Sequence, residues 1–386
     1  MRTSLRSLKT LSWATQRPQR INGARARKMN SHPPYPSPPT RPRAHGPAKS
    51  VCDPLGLFRR LPVVLSLLFA LAICSPSALF GASAKLLVKN ARLFTMAAQQ
   101  RGPFMGYLVV AEDGTIVTIA AGNPPANLSA EQVFDAHGDW IIPGFISAHS
   151  HLSQAAYHGI AADNTLTSWI DNLYLKRAVK ASPEDLYWFC LLGSLDHLQR
   201  GVTTAYDFNY SRTTGQGNDN EFDEAQFRAE LKSNIRFVHG YEPGWAAPGY
   251  GISQARKRLK AFLDWTATQP QPSTFLSVMI NGATAFNNTY QQAVMEKALM
   301  DEFHLMNQSH YLEPPEALTQ SEERAKFRWF MDSGMLSKQL IFGHFIHTDA
   351  YILQQTVKND VAVAWNPLSN GRMASGVADI PKYSFS

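Results

Sequence analysis

Residues 141–152 read IIPGFISAHSHL and place His149 and His151 one residue apart at the end of an apolar run. In a strand, side chains at i and i+2 share a face, so these two imidazoles can be presented to one point. Neutral imidazole is a common ligand for zinc or iron, and a metal needs such convergence. Two histidines near a strand end also serve as ordinary polar contacts. The segment NQSHYLEPPE adds His310 at the end of a second apolar run, with Glu313 three residues later where a loop begins. A ligand beside a carboxylate that does not itself bind the metal suits metal-assisted hydrolysis, in which the metal activates water and the carboxylate moves its proton. Taken alone, Glu313 reads equally well as a solvated loop residue. IFGHFIHTD supplies His344 at a third strand end, with His347 just past it as a surface or helix-start residue. Three such features in succession, each at a strand end, make coincidence a poor account of them.

The elements that must carry these residues alternate. Helical patterns cover about 183–200, 221–233, 253–264, 290–303, 316–333 and 349–358. The first has Ser182 as N-cap, Pro183 at the first helical position and Gly201 as its stop. Between them lie strand-like runs: GVTTAYDF, IRFVHGY, TFLSVMI, HLMNQSHY, LIFGH and VAVAWN. With 141–149 these make seven strands, and alternation of this kind implies a parallel α/β sheet, a (β/α) barrel ahead of a doubly wound sheet. No GxGxxG turn, GxSxG elbow or HExxH motif is present. Upstream, residues 85–140 read as a small β-sheet built from short runs and turns such as Glu112-Asp113-Gly114.

The formal net charge of +7 suggests a nucleic-acid partner until its distribution is read. Of 37 Lys and Arg and 30 Asp and Glu residues, 13 and one fall in residues 1–60, which leaves the rest of the chain net acidic. No nucleic-acid partner is therefore expected. Residues 1–60 read as a disordered basic leader. Residues 61–84 carry no charge and end in Ala82-Ser83-Ala84, the pattern of a signal peptide, with a membrane anchor as the rival. Secretion, periplasmic location or tethering through 61–84 follows, with organelle transit behind them. Cys52 and Cys74 lie in this leader, so the body has neither a CxxC zinc site nor a disulfide framework. Cys190, in a helical pattern, reads as a small core residue.

Four segments together resemble the amidohydrolase superfamily, in its cytosine deaminase-like and chlorohydrolase-like branch, which includes guanine and adenosine-type deaminases. PGFISAHSHL resembles that branch's PGFxxxHxH strand, HYLE its HxxE, GHFIH its sixth-strand histidine, and NPLSNGRMASGVADIP its NPxSN segment. The resemblance runs from about Lys85 to Tyr383. It implies a (β/α)8 TIM-like metal-dependent hydrolase barrel over 141–386, with a β-sandwich segment at 85–140. It further implies His149, His151 and His310 as ligands of one divalent metal, Zn with Fe as alternative. Glu313 becomes the proton shuttle, and His344 the group that polarises substrate or orients water. The implied reaction is hydrolysis of a C–N or similar bond of a small cyclic substrate, and a homo-oligomer is common in the family.

The family's last ligand, an aspartate on an eighth strand, has no counterpart before the chain ends at PKYSFS. The expectation is a C-terminally truncated, incomplete barrel. The alternative to an enzyme is therefore a truncated or non-catalytic amidohydrolase-like protein. Adenosine-type relatives carry Glu where this chain has Ala162, beside a retained Asp163, and His where it has Trp365 before Asn366. Both departures disfavour a nucleoside. Asp163, His239, Asn281, Trp365 and Asn366 are expected to line the substrate pocket, and Trp169 and Tyr174 to be core or wall. Sequons occur at Asn127, Asn209, Asn287 and Asn307, the last too near the site to be an acceptor.

Overall fold

The protein was described from a computed structural model that covers residues 84–380 apart from 99, 101 and 211–219. The chain divides into Met1–Cys74 and Ser75–Ser386. The leader and the signal or anchor segment expected at 1–60 and 61–84 lie outside the described residues, save Ala84. Among the described residues no helix is long and apolar enough to cross a membrane.

A five-stranded sheet comes first, from β1 (Ala84–Leu93), β2 (Phe104–Val110), β3 (Ile116–Ala121), β4 (Ala130–Asp135) and β5 (Trp140–Ile141). Its order is β3-β2-β1-β4, with β5 also paired to β1, parallel to it, at Arg92–Trp140 and Leu93–Ile141. The apolar run that opens PGFISAHSHL is therefore split. Trp140 and Ile141 close this sheet, Pro143 breaks the strand, and the barrel begins at β6 (Phe145–Ser150).

Seven parallel strands then follow in spatial order β6 to β12: β6, β7 (Val202–Phe208), β8 (Arg236–Tyr241), β9 (Phe275–Gly282), β10 (Asn307–Tyr311), β11 (Leu340–His344) and β12 (Ala362–Ala364). The helices are α1 (Leu166–Trp169), α2 (Pro183–Gln199), α3 (Glu221–Ser233), α4 (Ile252–Thr266), α5 (Gln291–Phe303), α6 (Ala317–Asp332), α7 (Ala350–Lys358) and α8 (Pro367–Arg372). This is the nearly closed sheet of a (β/α)8 TIM-like barrel, of which seven strands lie among the described residues. The main core holds fully buried Phe227, Phe237, Phe262, Ile280, Leu299, Phe330 and Phe342. β6 does not have the burial its apolar run suggests: Phe145 is 60% and Ile146 74% exposed, and among the described residues its strand partner is β7.

Local chemistry fixes the helix that backs the first histidines. Ser182 and Asp185 form a reciprocal capping box at the start of α2. Gly193, in the middle of α2, lets the helix close onto the backbone just after His151: a Cβ there would lie 2.0 Å from the Leu152 carbonyl oxygen. Alanine favours helix by about 1 kcal/mol over glycine. Overpacking against backbone costs roughly 1–3 kcal/mol or more. Gly193→Ala is therefore expected to lower the melting temperature in thermal unfolding by a few degrees, and a rise would show that α2 can retreat without cost.

Candidate metal centre

His149 on β6, His151 just past the end of that strand and His310 on β10 converge from different parts of the sheet. His310 Nε2 lies 3.1 Å from His149 Nε2 and 3.3 Å from His151 Nε2. Neighbours set the ring protons. Gln308 donates through Nε2 to Ala148 O, so its Oε1 is the acceptor facing His149 Nδ1. His151 Nδ1 donates to the carbonyl of Phe208 at 2.5 Å. Both rings thus carry their proton on Nδ1 and turn bare Nε2 lone pairs toward His310. His310 can donate to only one of them. A cation at their centre satisfies all three, since zinc–nitrogen bonds of about 2.0–2.1 Å place tetrahedral ligands about 3.3 Å apart. Gly343 leaves room for this cluster, because a Cβ there would meet the His149 ring at 3.2 Å.

His344 ends β11 beside them, its ring 4.9 Å from that of His310. Asn370 of α8 donates to His344 Nδ1 at 2.7 Å, and Glu313 Oε1 lies 3.2 Å from the same nitrogen. The His344 proton is then on Nε2, a buried atom with no partner among the described residues. Burial, with Glu323 adding to it, pushes the Glu313 carboxyl up to about 8, so at neutral pH the metal-free group favours its protonated form. Glu323 of α6 also accepts a hydrogen bond from Leu312 N. Leu312 has φ 54°, and His344 and Phe345 have φ 68° and 50°. Left-handed backbone at non-glycine residues costs about 1–3 kcal/mol each and gathers at functional sites. Here it turns Glu313 and His344 inward.

A cavity of about 790 Å³ opens over this cluster, walled by His149, His151, His344, Trp169, Trp365 and Asn366 among others. His310 and Glu313, each 4% exposed, lie behind that wall. Three pocket expectations are corrected. Asp163 is exposed and its neighbours Ala162 and Asn164 line the cavity instead. His239 shares the face of Phe237 and Tyr241, all fully buried, and bonds Glu230 of α3. Asn281 is consumed by Tyr206 and the Asn209 carbonyl. His347 is half-buried against the Ser375 carbonyl. Asn209, Asn287 and Asn307 are buried, leaving Asn127 as the one exposed sequon asparagine among the described residues.

Gln308, Asn370, Glu323 and Tyr210 were not singled out from sequence. Tyr210 stacks on His151 at 5.0 Å between centroids, with its hydroxyl 3.3 Å from His310 Nε2. The i−2 spacing of Gln308 from His310 was the available signal, since it puts both on one strand face.

Burial holds His149 down at about 4 and His151 at about 3, and His310 well below the usual range. Between pH 6.5 and those values the unfolded chain binds more protons than the folded metal-free protein, so stability falls as pH drops through that window. Glu313 acts oppositely: its folded value is raised, so its contribution is present below 4.5 and is lost as pH rises toward about 8. The melting temperature of chelated protein is expected to fall on both sides of a maximum at about pH 6.5–7, and a flat acid limb would contradict buried neutral histidines.

A family model described as Amidohydrolase family matches residues 140–383. The 5-methylthioadenosine/S-adenosylhomocysteine deaminase of Syntrophomonas wolfei is 25% identical over 305 residues, 77% of this chain. The 5'-deoxyadenosine deaminase of Methanosarcina acetivorans is 25% identical over 316 residues, 78% of this chain. This chain spans 66% of the length of each, just under two thirds. Among solved structures, atrazine chlorohydrolase from Arthrobacter aurescens TC1 complexed with zinc aligns with a TM-score of 0.66 at 18% identity, covering 77% of this chain and 69% of that one. Guanine deaminase from C. acetobutylicum with bound guanine aligns at 0.64 and 19%, covering 78% and 72%. These similarities in structure support the barrel fold.

Proposed function

The chain belongs to the amidohydrolase family, and on that premise we propose that it is a metal-dependent hydrolase acting on a C–N or similar bond of a small cyclic substrate, most simply as a deaminase. The carrying observation is the convergence of three Nε2 atoms beside the buried carboxyl of Glu313. His149, His151 and His310 would hold the ion, which we assign as zinc rather than iron because relatives of this fold were crystallised with zinc. When bound, a divalent metal supplies Lewis-acid activation of water and of a polarised substrate bond.

The remaining chemistry belongs to the chain. Glu313 holds a proton at the edge of the cluster and can pass it to a nitrogen leaving group, then take one back. His344 Nε2–H is positioned to donate to a substrate atom in the cavity. Gln308 and the Phe208 carbonyl fix the rings of His149 and His151. Trp169 and Trp365 offer flat apolar walls for a heterocycle.

The test is ammonia release from guanine, 5'-deoxyadenosine, S-adenosylhomocysteine and an aminotriazine by zinc-loaded protein. Turnover of at least one, lost on chelation and restored by zinc, supports the reading. A protein that binds zinc and turns over none of them favours the non-catalytic alternative.

A further inference from the structure

On the helix side of β7 and β8 a second set of ligating side chains is closed off from solvent. Cys190 of α2, Asp207 of β7 and Glu230 of α3 are each 0% exposed, and one ligand atom from each lies within 4.8 Å of the others. Cys190 Sγ is 3.7 Å from Asp207 Oδ2 and 3.7 Å from the Gln226 carbonyl. Asp207 Oδ1 accepts from Leu152 N at 2.9 Å, which ties the group to the residue after His151. Glu230 Oε2 accepts from His239 Nδ1 at 2.8 Å, whereas Glu230 Oε1 is buried with no N–H donor, and the Asp207 carboxyl lies within hydrogen-bonding reach of Glu230. Close by, Asp223 pairs with Arg258 at 3.1 Å. A third carboxyl, Asp223, thus lies near Glu230, and the Arg258 guanidinium is already engaged by it. Adjacent carboxyls in a dry interior cannot both stay ionised without a cation or a proton between them.

We propose that Cys190 Sγ, Asp207 Oδ2 and Glu230 Oε1 form a closed structural site for a divalent cation of the zinc type. Three observations support it. Zinc–sulfur bonds of about 2.3 Å and zinc–oxygen bonds of about 2.0–2.2 Å put tetrahedral S and O ligands about 3.5 Å apart, close to the observed separation. The Glu230 oxygen that no N–H reaches supplies a lone pair where a ligand is needed. His239 Nδ1–H holds the other oxygen of that carboxylate, as a hydrogen bond to a ligand does in built metal sites. Because all three side chains are fully buried, the ion would be acquired on folding and would brace α2, α3 and β7 behind His151. The site is separate from the three-histidine cluster and does not depend on the proposed activity.

The rival occupant is a proton shared by Asp207 and Glu230, with the Cys190 thiol donating to Asp207. The full chain carrying Cys52→Ser and Cys74→Ser retains Cys190 as its one thiol. Produced in cobalt-supplemented medium, it is expected to show a thiolate-to-cobalt charge-transfer absorption in the near ultraviolet. That band should disappear on adding Cys190→Ser and persist on adding His149→Ala and His151→Ala. Zinc-grown protein is expected to hold two equivalents per chain, falling to one with Cys190→Ser or Glu230→Gln. One equivalent with the cobalt band keeps this site and overturns the histidine centre. One equivalent without the band does the reverse, and it identifies the occupant as the shared proton. The band in the parent protein requires no substitution at the site to fold.

Discussion

Glu313→Gln is expected to lower kcat by roughly 10²–10⁴-fold, the contribution of a positioned general acid or base, while metal content stays unchanged. The amide keeps the shape and the contact with His344 but cannot cycle a proton. It also removes a buried ionisable group whose value is raised to about 8. The substituted protein should therefore lose the stability decline between pH 4.5 and 8 that Glu313 causes in the metal-free form. Kinetics on zinc-loaded protein, metal analysis and melting curves measure the three effects separately. Loss of metal along with activity would recast Glu313 as a ligand, and full activity would remove it from the chemistry.

His310→Ala is expected to remove the metal of the histidine centre and bring turnover to background. His310 Nε2 is the atom that faces both His149 Nε2 and His151 Nε2, so without it two ligands remain, both from the end of β6 and the residue just past it. Gln308→Leu provides a graded comparison. Gln308 touches the His149 ring without facing the centre, and loss of such an outer partner typically weakens metal affinity by about 10–100-fold. Zinc titration against a chromophoric chelator should rank parent, Gln308→Leu and His310→Ala in that order. A variant at His310 with unchanged zinc affinity would overturn the ligand assignment.

Much of the barrel was legible from sequence because its elements carry local signals. Glu221–Ser233 forms over the span read from its pattern, and α2 begins at the Ser182 cap with Pro183. His149, His151, His310 and His344 sit at or near the ends of their strands, as the break from apolar run to loop indicates. The misreading of His239 has a plain cause. Alternation along a strand tells which residues share a face but not which face looks inward. His239 was placed on the pocket wall because it ends a strand, yet it shares a face with Phe237 and Tyr241, whose rings pack on Phe227 of α3 and Phe262 of α4. Asp163 sits in a loop, where no periodicity constrains direction.

By itself, the sequence determined the element order, the parallel barrel and the identity of the histidines and glutamate that could do chemistry, since these depend on residue type and short-range spacing. Only the tertiary structure decided what those residues are. It brought His310 within 3.1 Å of a histidine 161 positions away, set ring tautomers through Gln308 and the Phe208 carbonyl, and pushed the Glu313 carboxyl up by burying it. Each depends on which groups from distant segments share a low-dielectric space, and a hydrogen-bond partner or a desolvation cost has no signature in the chain until folding creates it.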